Sequence, residues 1–142
     1  MQCAEPVTGS SGMPALGAAP DELWDEMDLM AVFPNQAAVA ALAPDMAKLA
    51  RLETRGVIAT APGKACDFVS RFFAPRAGIP EDPVTGSAHC ILTPYWAERL
   101  GKTKLSARQI SARGGELEVE ARGARVLISG RVAPYMVGRI RV

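Results

Sequence analysis

The chain has 142 residues, of which 49% are hydrophobic. That is enough for one domain with a packed core and argues against wholesale disorder. Sixteen basic and fifteen acidic residues give a net charge of +1, and neither sign forms a block. The basic stripe of a nucleic-acid binder is absent, and no apolar run approaches the ~18 residues that would cross a membrane.

Cys3, Cys66 and Cys90 are odd in number and lack the spacing of a disulfide scaffold or zinc site, so no bound metal is expected. The opening Met1-Gln2-Cys3-Ala4-Glu5-Pro6 has no basic region followed by an apolar core, which makes the cytoplasm the expected compartment.

Residues 1–20, rich in Gly, Pro, Ser and Ala, read as an irregular arm, with a single domain expected over 21–142. An apolar run over 29–33 predicts a buried strand ending at Pro34. Asn35 caps a short helix over 36–42, and Asp45 caps a second over 46–52. Residues 56–61 form a short buried strand stopped by Pro62-Gly63. Residues 66–73 form another, with Val69 and Phe73 on one face and Phe68 and Phe72 on the other, so both faces are covered.

Residues 74–86, with Pro75, Gly78, Pro80 and Pro83, predict a long loop of functional length. A helix follows over 87–100. It is apolar around most of its circumference, interrupted by Pro94 and closed by Gly101. Beyond it the pattern is β. Residues 104–112 and 116–121 alternate, Arg122-Gly123 turns the chain, 124–130 forms a strand and 131–142 is expected to form a last one. The basic residues of this region (Arg122, Arg125, Arg131, Arg139, Arg141) read as a solvated sheet face. Strands on both sides of a nearly all-apolar helix predict an α+β fold. Its mostly antiparallel sheet curls, barrel-like, around a central helix.

The chemistry concentrates in Gly78-Ile79-Pro80-Glu81-Asp82-Pro83-Val84-Thr85-Gly86-Ser87-Ala88-His89. A rigid loop delivers a carboxylate, then glycine, then the first turn of a helix. Gly86 allows close approach to the backbone. The unpaired N–H groups from Ser87 onward can hold a carboxylate, and Asp82 stands where it could exchange a proton with the bound group. An ordinary helix cap at Ser87 and an ordinary turn at Asp82 would use the same residues. Glu5-Pro6-Val7-Thr8-Gly9-Ser10 nearly repeats residues 82–87, but without surrounding similarity the echo reads as coincidence.

The linked segments Phe-Phe-Ala-Pro from Phe72, the run from Gly78 to His89, Pro-Tyr-Trp-Ala-Glu-Arg-Leu-Gly-Lys from Pro94 and Gln-Ile-Ser-Ala-Arg-Gly-Gly from Gln109 resemble the second half of the phenazine-biosynthesis PhzF-like isomerases. The resemblance implies one half of a diaminopimelate-epimerase-like fold, in which two similar halves face each other across an active site. It implies a proton moved on a small carboxylated metabolite without cofactor or metal. It assigns the catalytic aspartate to Asp82 and substrate contacts to Thr85, Gly86 and Ser87. His89 and the Gln109–Ser111–Arg113 face are further pocket candidates, with Ser111 the chosen one. No segment resembles the family's first-half glutamate motif. A homodimer or a separate first-half protein is therefore the expected partner. The alternative is a non-catalytic remnant or small-anion-binding module.

Overall fold

The computed structural model describes residues 14–141. Within the expected arm, Pro14–Leu16 forms a 3-10 turn whose Ala15 and Leu16 are buried in the core, so this part of the segment is packed. The echo at residues 5–10 lies outside the described residues.

The elements follow as β1 (Glu22–Asp25), β2 (Leu29–Val32), α1 (Gln36–Ala40), α2 (Met46–Leu49), β3 (Val57–Pro62), β4 (Phe68–Ala74), β5 (Ile79–Asp82), α3 (Gly86–Leu100), β6 (Lys104–Gln109), β7 (Gly115–Arg122) and β8 (Arg125–Ser129). Both short helices start where the capping residues place them. Asn35 Oδ1 accepts from the Ala38 N–H at 3.0 Å, and Asp45 Oδ1 from the Lys48 N–H at 3.1 Å. Gly101 ends α3 in the left-handed conformation, φ 65°.

The strands form one mixed sheet in the order β1-β2-β3-β4-β6-β7-β8, with β5 attached to β4. Antiparallel pairs dominate; β2–β3 and β4–β6 are parallel. The expected curl is present, because every strand of the main path sends side chains into the cluster around α3: Trp24, Met30, Ile58, Phe68, Leu105, Val119 and Ile128 among them. Barrel-like closure is not, since the path ends at β1 and β8.

The faces of β4 divide as its alternation predicts. Phe68 and Phe72 pack toward α3, whereas Val69 and Phe73 join Val57, Ala59, Val39 and Leu49 beneath α1 and α2. Trp96 is buried at the centre. Its ring stacks on Phe68 at 5.8 Å and 6°, and Nε1 donates to Thr60 Oγ1 at 3.0 Å.

Two predicted segments differ. Residues 74–86 are not all loop: Pro75–Ala77 is a 3-10 turn, Gly78 reverses the chain at φ 80°, and β5 pairs back onto β4. β5 is short and carries Pro80, which an edge strand tolerates because one side of its backbone needs no donor. The strand expected over 131–142 does not form: the described residues 130–141 have no helix or strand. Their apolar side chains stand out in solvent, and Tyr135 is 99% exposed.

Candidate functional site

Asp82 ends β5 opposite Phe72 of β4, so both side chains leave the sheet on the α3 face. The chain then turns through Pro83, Val84 and Thr85 into α3. Thr85 occupies the cap position, φ −115° and ψ 104°, but makes no side-chain cap bond. Its hydroxyl donates instead to Asp82 Oδ2 at 2.5 Å, a short bond of the charge-assisted kind. The cap is therefore Thr85, and Ser87 lies inside the helix. Among the described residues, the first N–H groups of α3 have no side-chain cap. Among the described residues nothing beyond its own chain neighbours and helix backbone crowds Gly86: a methyl group placed there would meet nothing else within 4 Å.

The loop is clamped from behind by β6. Gln109 is fully buried. Its Oε1 accepts from the Thr85 N–H at 2.8 Å, and its Nε2 donates to the Asp82 carbonyl at 2.8 Å and to Thr85 Oγ1 at 3.1 Å. Ser111 Oγ donates to the Pro83 carbonyl at 2.8 Å and accepts from the Gly114 N–H at 3.0 Å. Val84 packs so tightly over Gly115 that a methyl group there would stand 2.3 Å from Val84 Cγ2. Every residue between Asp82 and Thr85 is thus held by the segment 109–115, whose inward Gln109 continues the alternation of Leu105 and Ala107.

The structure brings Asp82, Thr85, Gly86 and Ser87 together at the start of α3. His89 and Ser111 lie behind that cluster. His89 is fully buried; its Nδ1 lies 2.7 Å from the Thr85 carbonyl, which fixes Nδ1 as the donor. Burial pushes the imidazole pKa below its ordinary value, against the opposing pull of the Thr85 carbonyl. His89 Nε2 and Ser70 Oγ are buried without a hydrogen-bond partner among the described residues. Arg113 is exposed.

Two residues escaped the sequence reading. Asp28, in the β1–β2 turn, is completely buried. Arg55, just before β3, grips both of its oxygens through Nε, at 2.8 Å, and Nη2. The same Nη2 donates to Ser87 Oγ at 3.1 Å, and the guanidinium lies over the Phe72 ring at 5.9 Å. No pattern in the sequence links positions 27 residues apart in a turn and a loop. A separate groove of about 390 Å³, lined by Lys64, Cys66, Ser106, Arg108, Glu116 and Arg131 among others, lies on the sheet face turned away from α3 and contains none of these residues.

Fold and loop together define an α+β domain whose sheet curls over one helix and presents an aspartate at that helix's first turn. A family model described as phenazine biosynthesis-like protein, PhzC–PhzF, matches residues 24–138. The chain belongs to this family. It is 51% identical over 139 residues, 97% of its length, to a Pseudomonas aeruginosa protein described as an uncharacterized isomerase, of which it covers 54%.

Solved structures share its fold, two crystal structures among them. One is a PhzF-family protein of Enterococcus faecalis: TM-score 0.86, 43% identity, covering 92% of this chain and 50% of that one. The other is a putative PhzC/PhzF protein of Clostridium difficile: TM-score 0.87, 38% identity, covering 100% of this chain and 55% of that one. The chain spans about half the length of these relatives. No helix among the described residues is long and apolar enough to cross a membrane.

Proposed function

We propose that this chain supplies the second-half side of an isomerase site that moves a proton on a small carboxylated metabolite. The complete site forms against a first-half protein or a second copy of the chain, as in a diaminopimelate-epimerase-like fold, and it works in the cytoplasm without cofactor or metal. The observation that carries this reading is the clamp on Asp82. Thr85 Oγ1 holds Oδ2 at 2.5 Å while Gln109 and Ser111 fix the loop, so Oδ1 is the oxygen left to work.

Isomerisation by proton transfer removes a proton from one carbon and returns one to another, and the double bond shifts between them. In this reading Asp82 carries a proton at one end of that shift. An acid–base group across the cleft serves the other end. Gly86 and Ser87 receive the substrate carboxylate through the uncapped N–H groups of α3. Thr85, His89 and Ser111 keep the loop in place, and their contact with substrate is indirect.

The test is deuterium incorporation. The chain is incubated in D2O with a panel of small unsaturated carboxylates, with and without the separately produced first half of the P. aeruginosa relative. Mass spectrometry should find exchange at carbon that Asp82→Asn reduces by about 10²–10⁴-fold, the usual worth of a general acid–base group. Exchange at an unchanged rate in the folded Asp82→Asn variant would exclude Asp82 from the chemistry.

A further inference from the structure

Arg55 is a cation that the loop motif does not contain, yet it reaches Ser87 within that motif. We propose that Arg55 and Ser87 together form the carboxylate-binding subsite of this chain, with buried Asp28 as the anchor that aims the guanidinium. The inference deepens the isomerase reading and rests on it for the identity of the ligand as substrate.

Three observations point this way. First, the guanidinium is fixed. Asp28, fully buried, is gripped in a two-pronged pair through Nε and Nη2, the planar match of arginine to carboxylate. The flat face rests on the Phe72 ring, and Gly56 lets that ring in: a methyl group there would sit 2.3 Å from Phe72 Cζ. Second, donors remain. Nη1 has no partner among the described residues, and the Arg55 side chain is 44% exposed although its anchor is not. Third, the bond from Nη2 occupies a lone pair of Ser87 Oγ. The hydroxyl proton of Ser87 is thereby left to be donated outward. Arg55 thus adds its own N–H groups and sets the polarity of its neighbour, beside the open face over Gly86.

A purely structural role predicts something different. If Arg55 only compensates Asp28, the pair is a self-contained unit and an added carboxylate has no reason to touch it.

Benzoate and its neutral isostere benzamide separate the two. Titration of the ¹⁵N-labelled full chain with benzoate should give saturable shifts at the Arg55 Nε–H signal and the Ser87 and Ala88 amides. Benzamide should not. Arg55→Gln should weaken benzoate binding at least tenfold. Because a lone buried Asp28 could unfold that variant, the paired Asp28→Asn/Arg55→Gln variant, which buries no charge, should show the same loss with an unchanged unfolding midpoint. Asp28→Asn alone keeps the guanidinium charge but loses the carboxylate that aims it, and should bind benzoate more weakly than the parent yet more tightly than either Gln variant; affinity equal to the parent's would remove Asp28 as the anchor. Unchanged affinity in both Gln variants, or no benzoate shift at these signals in the parent chain, overturns the subsite. Neither result bears on Asp82, whose part is read separately from deuterium exchange.

Discussion

Thr85 gives its backbone N–H to Gln109 Oε1 at 2.8 Å, and Gln109 returns a bond of the same length to the carbonyl of Asp82. One buried amide side chain therefore holds both ends of the turn between the carboxylate and the helix. Gln109→Leu keeps the volume but leaves a buried N–H and a half-buried C=O unpaired. At about 1–3 kcal/mol for each such group, the expected loss is about 2–6 kcal/mol in urea unfolding, with faster hydrogen exchange at the Thr85 amide. A loss below about 1 kcal/mol would mean that the turn supports itself.

Gly115 and Val84 make a second joint in the same loop. A side chain at 115 needs the space that Val84 Cγ2 fills, at 2.3 Å. Gly115→Ala should therefore displace the loop and destabilise the fold by about 1–3 kcal/mol, the usual cost of overpacking. Val84→Ala in the same chain should recover part of that loss. A double-mutant cycle with no coupling between the two sites would refute the contact.

Much of this architecture was legible in the sequence, for reasons that differ by element. The caps at Asn35 and Asp45, the two faces of β4 and the inward Leu117 and Val119 of β7 follow from local chemistry and period. β5 was hidden because four residues with a proline carry no alternation signal. Of the site, the segment 82–87 announced itself through its order of acid, turn and glycine. Asp28 and Arg55 did not, because what joins them is the parallel pairing of β2 with β3, which sets Leu29 beside Val57. That proximity belongs to the tertiary fold.

Trp96 should be the costliest single truncation. It is buried between Phe68 at 5.8 Å and Tyr95 at 5.2 Å. Its loss opens a cavity in the cluster to which strands from β1 to β8 contribute. Trp96→Ala should cost about 3–5 kcal/mol in chemical denaturation. Thr60 Oγ1 loses the indole donor but still donates to the Val69 carbonyl, so the unpaired polar group adds little.

Mild acid should weaken the fold through His89, the only histidine of the chain. Its folded pKa lies below the ordinary 6.5 because burial disfavours the charged ring. The unfolded chain therefore binds the extra proton first, and stability falls as pH drops below about 6.5, by at most about 1.4 kcal/mol per pH unit. Above that pH the contribution is complete. Glu22 and Asp67 are partly buried but held below their ordinary values of 4.5 and 3.8 by hydrogen bonds from Arg99 and Lys102; they act only at lower pH. Urea unfolding between pH 7 and 5 should show this slope, and His89→Asn should flatten it. An equal slope in the variant would assign the effect elsewhere.

The segment after β8 bears on assembly. Val132, Tyr135, Met136, Val137 and Ile140 are each at least 82% exposed, within a stretch the family model matches as far as residue 138. Contiguous apolar side chains left in water mark contact surfaces. The C. difficile structure covers the whole of this chain, this segment included, and is nearly twice as long. The relatives thus have a further half on which such a segment can lie. We expect the chain to self-associate at micromolar concentration, twofold pairing being the commonest route, or to bind a separately produced first half. Removing residues 131–142 should abolish either association in sedimentation or light scattering. The unfolding midpoint should stay where it is, because these side chains contribute nothing to either core cluster. An untruncated chain that stays monomeric and ignores the first half would reject the partner, and so would association that survives the truncation.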